Sequence, residues 1–354
     1  MSCSHEISFH GMCAECGSLV DENPSNSVRY LDGIRLSQQQ MNAEKKYTEQ
    51  NLLKQKKLIL ILDLDHTLLN SAHFKDLTAK EKRALNVPRN DVFYTPYMHM
   101  VTKIRPFVKD FLQATNELFH LHVYTMGNRE YAMRMVQLID PTGEYFKNRV
   151  ISSNDSTDAR AKNLDIVLGN EKQMVIVDDS PRIWVENGKN VVVIERYHYF
   201  EISRHLYGPP GPSLLLNNMD ETADNSCLLR VLEVLRRIHA QFFSHVTEEE
   251  ADVRNEIKIQ KKQILRGVYV VFSGFFPCAE LHPEIQLIWK KASALGAICE
   301  PAFSENTTHV VAYRNGTKKT YEAKKRGLYV VSATWLDMSE TCWKKMPERD
   351  FELQ

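Results

Sequence analysis

Long apolar runs are missing from this 354-residue sequence. Nothing approaches the roughly 20 residues that span a bilayer, and the amino terminus lacks the apolar core of a secretory signal. Neither a membrane-spanning nor an exported protein is expected. Net charge is missing too, with 45 basic residues against 45 acidic. Such balance gives no global electrostatic case for binding nucleic acid or a membrane, so any charged site must be local. Cysteines number seven, an odd count, which without an export signal points to a reducing compartment, cytosol or nucleus. What is present is an ordinary globular composition, 43 % hydrophobic and 25 % charged, which argues against wholesale disorder. The length exceeds a usual single domain, so two domains are expected.

The most informative stretch is Leu58 to Asn70. Five consecutive aliphatics run into Asp63-Leu64-Asp65-His66-Thr67. So short and apolar a run fits a strand buried on both faces of a parallel sheet, ending where the charges begin. In open α/β sheets the loops at such strand ends carry the chemistry, and two aspartates one residue apart can share one site. One can attack while the other handles a proton. For the pair alone, a buried strand ending in an aspartate turn, without chemistry, is the alternative.

Further strands follow the same plan. His120–Tyr124 ends at Thr125, Arg149–Ser153 leads to an acidic loop, and Met174–Val177 ends in Asp178-Asp179. Val191–Ile194 is a fifth strand. Helices are expected from Pro106 through Leu118, around Tyr131 to Leu138, and from Arg160 to Leu168 carrying Lys162. Between Asn70 and Met100 a β-excursion is expected. Strands alternating with helices imply a doubly wound parallel sheet. Its strand ends lie on one edge, gathering Asp63, Asp65, Asp178 and Asp179. Four carboxylates there repel unless a hard cation joins them, and magnesium is the natural one. Thr67, Thr125 and Lys162 would hold a phosphate beside it, which suits phosphoryl transfer.

The flanks differ in character. Residues 1–50 are a polar segment with Cys3, His5, Cys13 and Cys16, four soft ligands with C-x-x-C spacing in one half. They could hold zinc as Cys₃His. The tight C-x-H half leaves a metal-free, reduced segment as the alternative. Residues 208–260, opening Gly208-Pro209-Pro210-Gly211-Pro212, are expected to be a domain exit followed by helices, the second capped by Thr247 and Glu250. Residues 261–354 start a second, smaller α/β domain with no catalytic constellation, which suggests binding or a scaffold.

At Asp63-Leu64-Asp65-His66-Thr67 the sequence resembles the haloacid dehalogenase superfamily, in its FCP-like branch of RNA polymerase II carboxy-terminal-domain phosphatases. The resemblance covers 51–207 and includes Lys103–Pro106, Tyr124-Thr125-Met126-Gly127-Asn128-Arg129-Glu130-Tyr131-Ala132, Lys162 and Val177–Pro181. The histidine after the second aspartate resembles plant members, while Asp178-Asp179-Ser180-Pro181 departs from the branch's more usual D-D-R. Residues 267–351 resemble a BRCT domain, through Phe272-Ser273-Gly274, Leu295-Gly296-Ala297, Thr308–Val311 and Trp335. Cys3 to Gly17 resembles the branch's short amino-terminal Cys/His segment. The resemblance implies Asp63 as nucleophile and Asp65 as proton donor and then base. It implies magnesium on Asp63, the Asp65 carbonyl and Asp179, with Asp178 in support. Thr125 and Lys162 would contact the phosphoryl group, and Arg105 and Arg129 would help with phosphate or substrate peptide. The implied substrate is the phosphorylated polymerase tail, in the nucleus, with transcription factors met through the BRCT-like domain. Two rivals stand beside it: a phosphatase of this superfamily acting on another phosphoprotein or a small phosphate ester, and a non-catalytic scaffold.

Overall fold

A computed structural model describes residues 3–20, 27–31, 33–208, 213–245, 251–277 and 280–353. The chain forms two compact units, meeting in sequence at Val253 and Arg254.

The start of the chain is more ordered than its polarity suggests. β1 (Ile7–Phe9), β2 (Met12–Cys13), β3 (Ser27–Leu31) and β4 (Ile34–Ser37) form an antiparallel sheet in the order β2-β1-β4-β3. Helix α1 (Gln38–Lys54) follows, capped by the Ser37 hydroxyl, which accepts from the Gln40 amide at 3.0 Å. The expectation of a merely polar segment is thereby corrected. Met41 and Leu52 are the buried residues of α1, too few to show a helical stripe in sequence. Leu52 joins the core cluster under the central sheet, beside Ile59 and Ile61.

β5 (Leu58–Leu62) is wholly buried and lies in the middle of the sheet. The chain then leaves that sheet through β6 (Leu69–His73), α2 (Ala79–Ala84), β7 (Val92–Thr95) and β8 (Met100–Ile104). The three strands pair antiparallel in the order β6-β8-β7. Next come α3 (Val108–Leu118), β9 (Phe119–Tyr124), α4 (Arg129–Ile139), β10 (Val150–Ile151), β11 (Met174–Asp178) and β12 (Val191–Val193). The order β10-β9-β5-β11-β12 is parallel throughout, with Leu62 level with Val123 and Val177. The carboxyl ends of β9, β5 and β11 therefore lie side by side.

Two elements differ from expectation. The helix expected over 160–168 is only a single 3₁₀ turn at Leu164–Ile166. Side chains there take the amides a helix needs: Asp158 accepts from Arg160 N, Asn163 from Asp165 N, and Asp165 from Ile166 N. The segment from 213 onward packs on the first unit, and the helix expected after the domain exit is present with Leu228, Leu232, Leu235, Ile238 and Phe242 buried. α5 (Glu201–Tyr207), α6 (Leu214–Asn217) and α7 (Cys227–Phe242) cover it, with Leu215 in a core cluster with Tyr197 and Tyr199, and α7 lying against α3. The capping box expected at Thr247 and Glu250 lies outside the described residues.

The second unit opens in α8 (Val253–Lys261) and contains β13 (Tyr269–Ser273), α9 (Leu287–Ala294), β14 (Ile298–Glu300), β15 (His309–Ala312), α10 (Lys318–Lys325), β16 (Tyr329–Ser332) and α11 (Thr334–Thr341). Its parallel sheet runs β14-β13-β15-β16. Gly296 has φ +97°, and a Cβ there would lie 1.9 Å from the Lys262 carbonyl oxygen, so the close approach of two chain segments demands glycine. Trp335 is fully buried, stacked on His309, and donates to the Met346 carbonyl at 2.8 Å.

Candidate active site

The strand ends assemble the site. Asp63 follows β5, its amide donating to Val177 O at 3.0 Å, and Asp178 closes β11 alongside. Lys162, carried on the irregular segment after β10, reaches back between them. Its Nζ lies 2.6 Å from Asp63 Oδ1 and 2.8 Å from Asp178 Oδ2. Its own amide donates to Ile183 O, fixing the segment. Trp184 Nε1 donates to the same Asp178 oxygen at 2.9 Å, and the Ser180 amide to its other oxygen at 2.8 Å. Asp179 pairs with Arg196 and accepts from the Ser180 hydroxyl.

Asp65 has a separate environment. Tyr131 OH donates to its Oδ1 at 2.5 Å and Thr125 Oγ1 to its Oδ2 at 3.4 Å. The Thr125 hydroxyl is itself held by the Gly127 amide at 3.0 Å. A Cβ on Gly127 would come within 2.5 Å of the Tyr131 ring, so this glycine lets the tyrosine reach the aspartate. Asp63, Asp65, Thr125, Lys162, Asp178 and Asp179 line one cleft of about 250 Å³, with His66, Arg196 and Tyr207 at its other walls. A second groove shares Asp65 and Gly127 and continues past Ser71, Met98, Met100 and Tyr131.

Burial sets the charges. Desolvation pushes Asp63 well above the usual carboxylate range; Lys162 opposes this, while Asp178, Asp179 and Asp65 reinforce it. Burial raises Asp65 as well, with the Tyr131 hydrogen bond working against it. For Lys162 burial works downward, but Asp63 and Asp178 hold its value above that of a free lysine. Tyr131 is raised by burial and by Asp65, so it stays a neutral donor.

The residues fit a divalent cation. Asp63, Asp178 and Asp179 each offer a carboxylate oxygen, all within 4.8 Å of one another, a hard all-oxygen set. The Asp65 side chain is not among these three donors.

Three residues expected at the substrate have other partners or surroundings in the fold. Arg105 is buried and clamps Glu221 through Nε and Nη2 at 3.0 and 2.6 Å, while Nη1 donates to the carbonyls of Thr67 and Glu195. It supports the loop from behind and is not among the residues lining the carboxylate cleft; its partner lies 116 residues away in the segment read as a domain exit. Arg129 pairs with Asp155 and donates to Val150 O, tying α4 to the acidic loop. Thr67 is fully buried, its hydroxyl without a hydrogen-bond partner, and it does not line the cleft. Missed in sequence were Tyr131, Arg196 and Trp184. Tyr131 stands two residues past Arg129 at the first turn of α4, where the Asn128 cap accepts its amide, and that cap was the available signal. Pro106 precedes α3 rather than opening it, since Phe107 is the cap in a left-handed conformation.

Comparison with known proteins converges on one family. The NLI interacting factor-like phosphatase pattern matches residues 58–207, and the twin BRCT domain pattern matches residues 282–335. The RNA polymerase II C-terminal domain phosphatase-like 4 of Arabidopsis thaliana is 40 % identical over 99 % of this chain and 82 % of its own length. The phosphatase-like 3 protein of the same plant is 37 % identical over 97 % of this chain, which spans only 29 % of that relative. The solved fission yeast RNA polymerase II CTD phosphatase bound to beryllium fluoride superposes with a TM-score of 0.65 at 26 % identity, covering 88 % of this chain and 100 % of that one. By its parallel haloacid dehalogenase-like sheet, its BRCT-like second unit and its near full-length identity to the first of these relatives, this chain belongs to the RNA polymerase II carboxy-terminal-domain phosphatases of the FCP-like branch.

Proposed function

We propose that this chain is a magnesium-dependent protein serine phosphatase that dephosphorylates the repeats of the RNA polymerase II carboxy-terminal domain. The observation carrying this reading is the Lys162 ammonium held between Asp63 and Asp178, 2.6 and 2.8 Å away, beside an Asp65 hydrogen-bonded to Tyr131. Asp63 Oδ attacks phosphorus and the bond to the serine oxygen breaks. Asp65, whose carboxyl burial raises above its ordinary value, gives a proton to that leaving oxygen. Water then attacks the aspartyl-phosphate and passes a proton back to Asp65. The Asp63–phosphorus bond breaks, releasing inorganic phosphate and restoring both carboxyl groups. Lys162 and Thr125 orient the phosphoryl oxygens and neutralise their charge. Magnesium, held by Asp63, Asp179 and the Asp65 carbonyl with Asp178 in support, would supply electrostatic stabilisation of that charge.

A peptide substrate is supported by the groove beside the cleft, where Met98, Met100 and Tyr131 offer apolar surface to an extended chain. Nuclear location follows from that substrate. The second unit would hold phosphorylated tail or transcription factors near the catalytic unit. Its pocket gathers Ser273, Thr317, Lys318 and Lys319 at the start of α10, together with Glu280 and Glu300, and the lysines and hydroxyls offer donors to a phosphate.

The deciding assay uses singly phosphorylated tail peptides with and without magnesium. Release should require the metal, exceed that on sugar phosphates, and fall on the order of 10³-fold or more in Asp63→Asn while the fold persists. Substantial turnover by Asp63→Asn would end the nucleophile assignment, and equal rates on sugar phosphates would end the tail assignment.

A further inference from the structure

The amino-terminal sheet carries a second cluster of ligating side chains, far in chemistry from the carboxylate cleft. Cys3, His5, Cys13 and Cys16 each present one donor atom, and all four lie within 4.8 Å of one another. Cys3 Sγ stands 3.6 Å from Cys13 Sγ, and Cys16 Sγ 3.6 Å from His5 Nδ1. A tetrahedron built from Zn–S bonds of about 2.3 Å and Zn–N bonds of about 2.0–2.1 Å has edges of roughly 3.5–3.8 Å. Both measured edges match, and both are far too long for a disulfide, whose sulfurs lie about 2.05 Å apart.

The backbone is arranged around those donors. Cys13 ends the β1–β2 hairpin, paired with Ser8, and its amide donates to Ser18 O at 2.9 Å. Gly17, at φ +73°, closes the Cys-x-x-Cys turn with its amide on Cys13 O at 3.0 Å. The Glu15 amide points at Cys13 Sγ at 3.4 Å, a donor that favours thiolate. His5 is held at φ +51°, a left-handed conformation that costs energy for a non-glycine residue and turns its ring toward Cys16.

Cys13, Leu36 and Met41 are buried among the described residues of 3–20 and 33–41. We propose that Cys3, His5, Cys13 and Cys16 bind one structural zinc ion that closes this sheet.

The test uses the full chain purified from zinc-supplemented medium without chelator. Elemental analysis should find one zinc per chain, retained in Asp179→Asn, lost in Cys13→Ser and Cys16→Ser, and kept in His5→Cys, which preserves four donors. The cobalt-substituted, otherwise unaltered chain should show thiolate-to-metal charge transfer with tetrahedral d–d bands, which an all-carboxylate site cannot produce. This spectrum decides the matter where a cysteine variant fails to fold. Absence of zinc, iron in its place, a cobalt spectrum lacking thiolate bands, a Cys3–Cys13 disulfide by mass, or zinc that persists in both cysteine variants would each overturn the assignment.

Discussion

At the residue scale, two aspartates separated by one leucine acquire different work from their neighbours. Asp63 shares Lys162 with Asp178, whereas Asp65 accepts hydrogen bonds from the hydroxyls of Tyr131 and Thr125. The hydroxyl 2.5 Å from Asp65 sets the direction of its carboxyl group. Tyr131→Phe removes a hydrogen bond to a chargeable group, worth about 1.5–3 kcal/mol. Turnover should fall roughly tenfold or more, with KM for a tail peptide nearly unchanged. A loss confined to KM would make Tyr131 a peptide contact instead. The two carboxylate pairs were readable because a short, unbroken apolar run leaves little doubt about where a strand stops. Tyr131 was not readable: its role depends on a glycine four residues earlier lacking a Cβ, a fact of three-dimensional clearance.

At the scale of elements, the buried cations explain why some sequence signals misled. Arg105, just past β8, reads in sequence as a contact to phosphate or peptide, and Lys103 stands two residues before it. In the fold they bind Asp220 and Glu221. Residues 213–242 consequently serve as a brace for the catalytic loop, a role that no local pattern reveals when the partner lies over a hundred residues away. Arg105→Met leaves Glu221 without its partner, and breaking such a buried pair costs about 3–5 kcal/mol. The melting temperature should drop on the order of 10 °C. KM measured below that transition should stay near the parent value; a selective rise in KM with unchanged melting would restore the substrate-contact reading. Strand β9 makes a different prediction. His120 is pushed down to about 4, first by burial and then by Arg149 and Lys57, and burial lowers His122 further below its ordinary value. The unfolded chain therefore binds more protons than the native one below about pH 6.5. The stability these neutral rings allow is complete above that pH and is lost as pH falls toward 4. Thermal melts across this window should fall less steeply for His122→Val than for the parent, and parallel curves would rule out this source of acid sensitivity.

At the scale of the whole molecule, the parallel sheet was legible from alternating apolar runs, whereas its strand order was not, and the second unit begins at Arg254 where a start at residue 261 was expected. Less legible was α1, whose long polar sequence hides two buried contacts, and the brace after residue 213, whose glycine- and proline-rich opening reads as an exit. The second unit's pocket at Ser273, Thr317 and Lys319 bears on how long substrates are handled. Lys319→Met should raise KM about tenfold for a multiply phosphorylated tail, the scale of one charge-assisted contact, and leave a small aryl phosphate unaffected. Equal losses on both substrates would remove the pocket from substrate handling.

The spacing of the catalytic groups along the chain also has a consequence for biosynthesis. Asp63 and its lysine are 99 residues apart, and Asp179 pairs with an arginine 17 residues beyond it. The middle strand β5 emerges from the ribosome early but gains its neighbour β11 only after more than a hundred further residues are made. Until then, one edge of a fully apolar strand has no native partner, and such edges invite aggregation. Synthesis of this chain therefore passes through an interval in which a chaperone has a defined strand edge to shield, and a ribosome stalled before residue 174 presents β5 with its β11 edge unpaired.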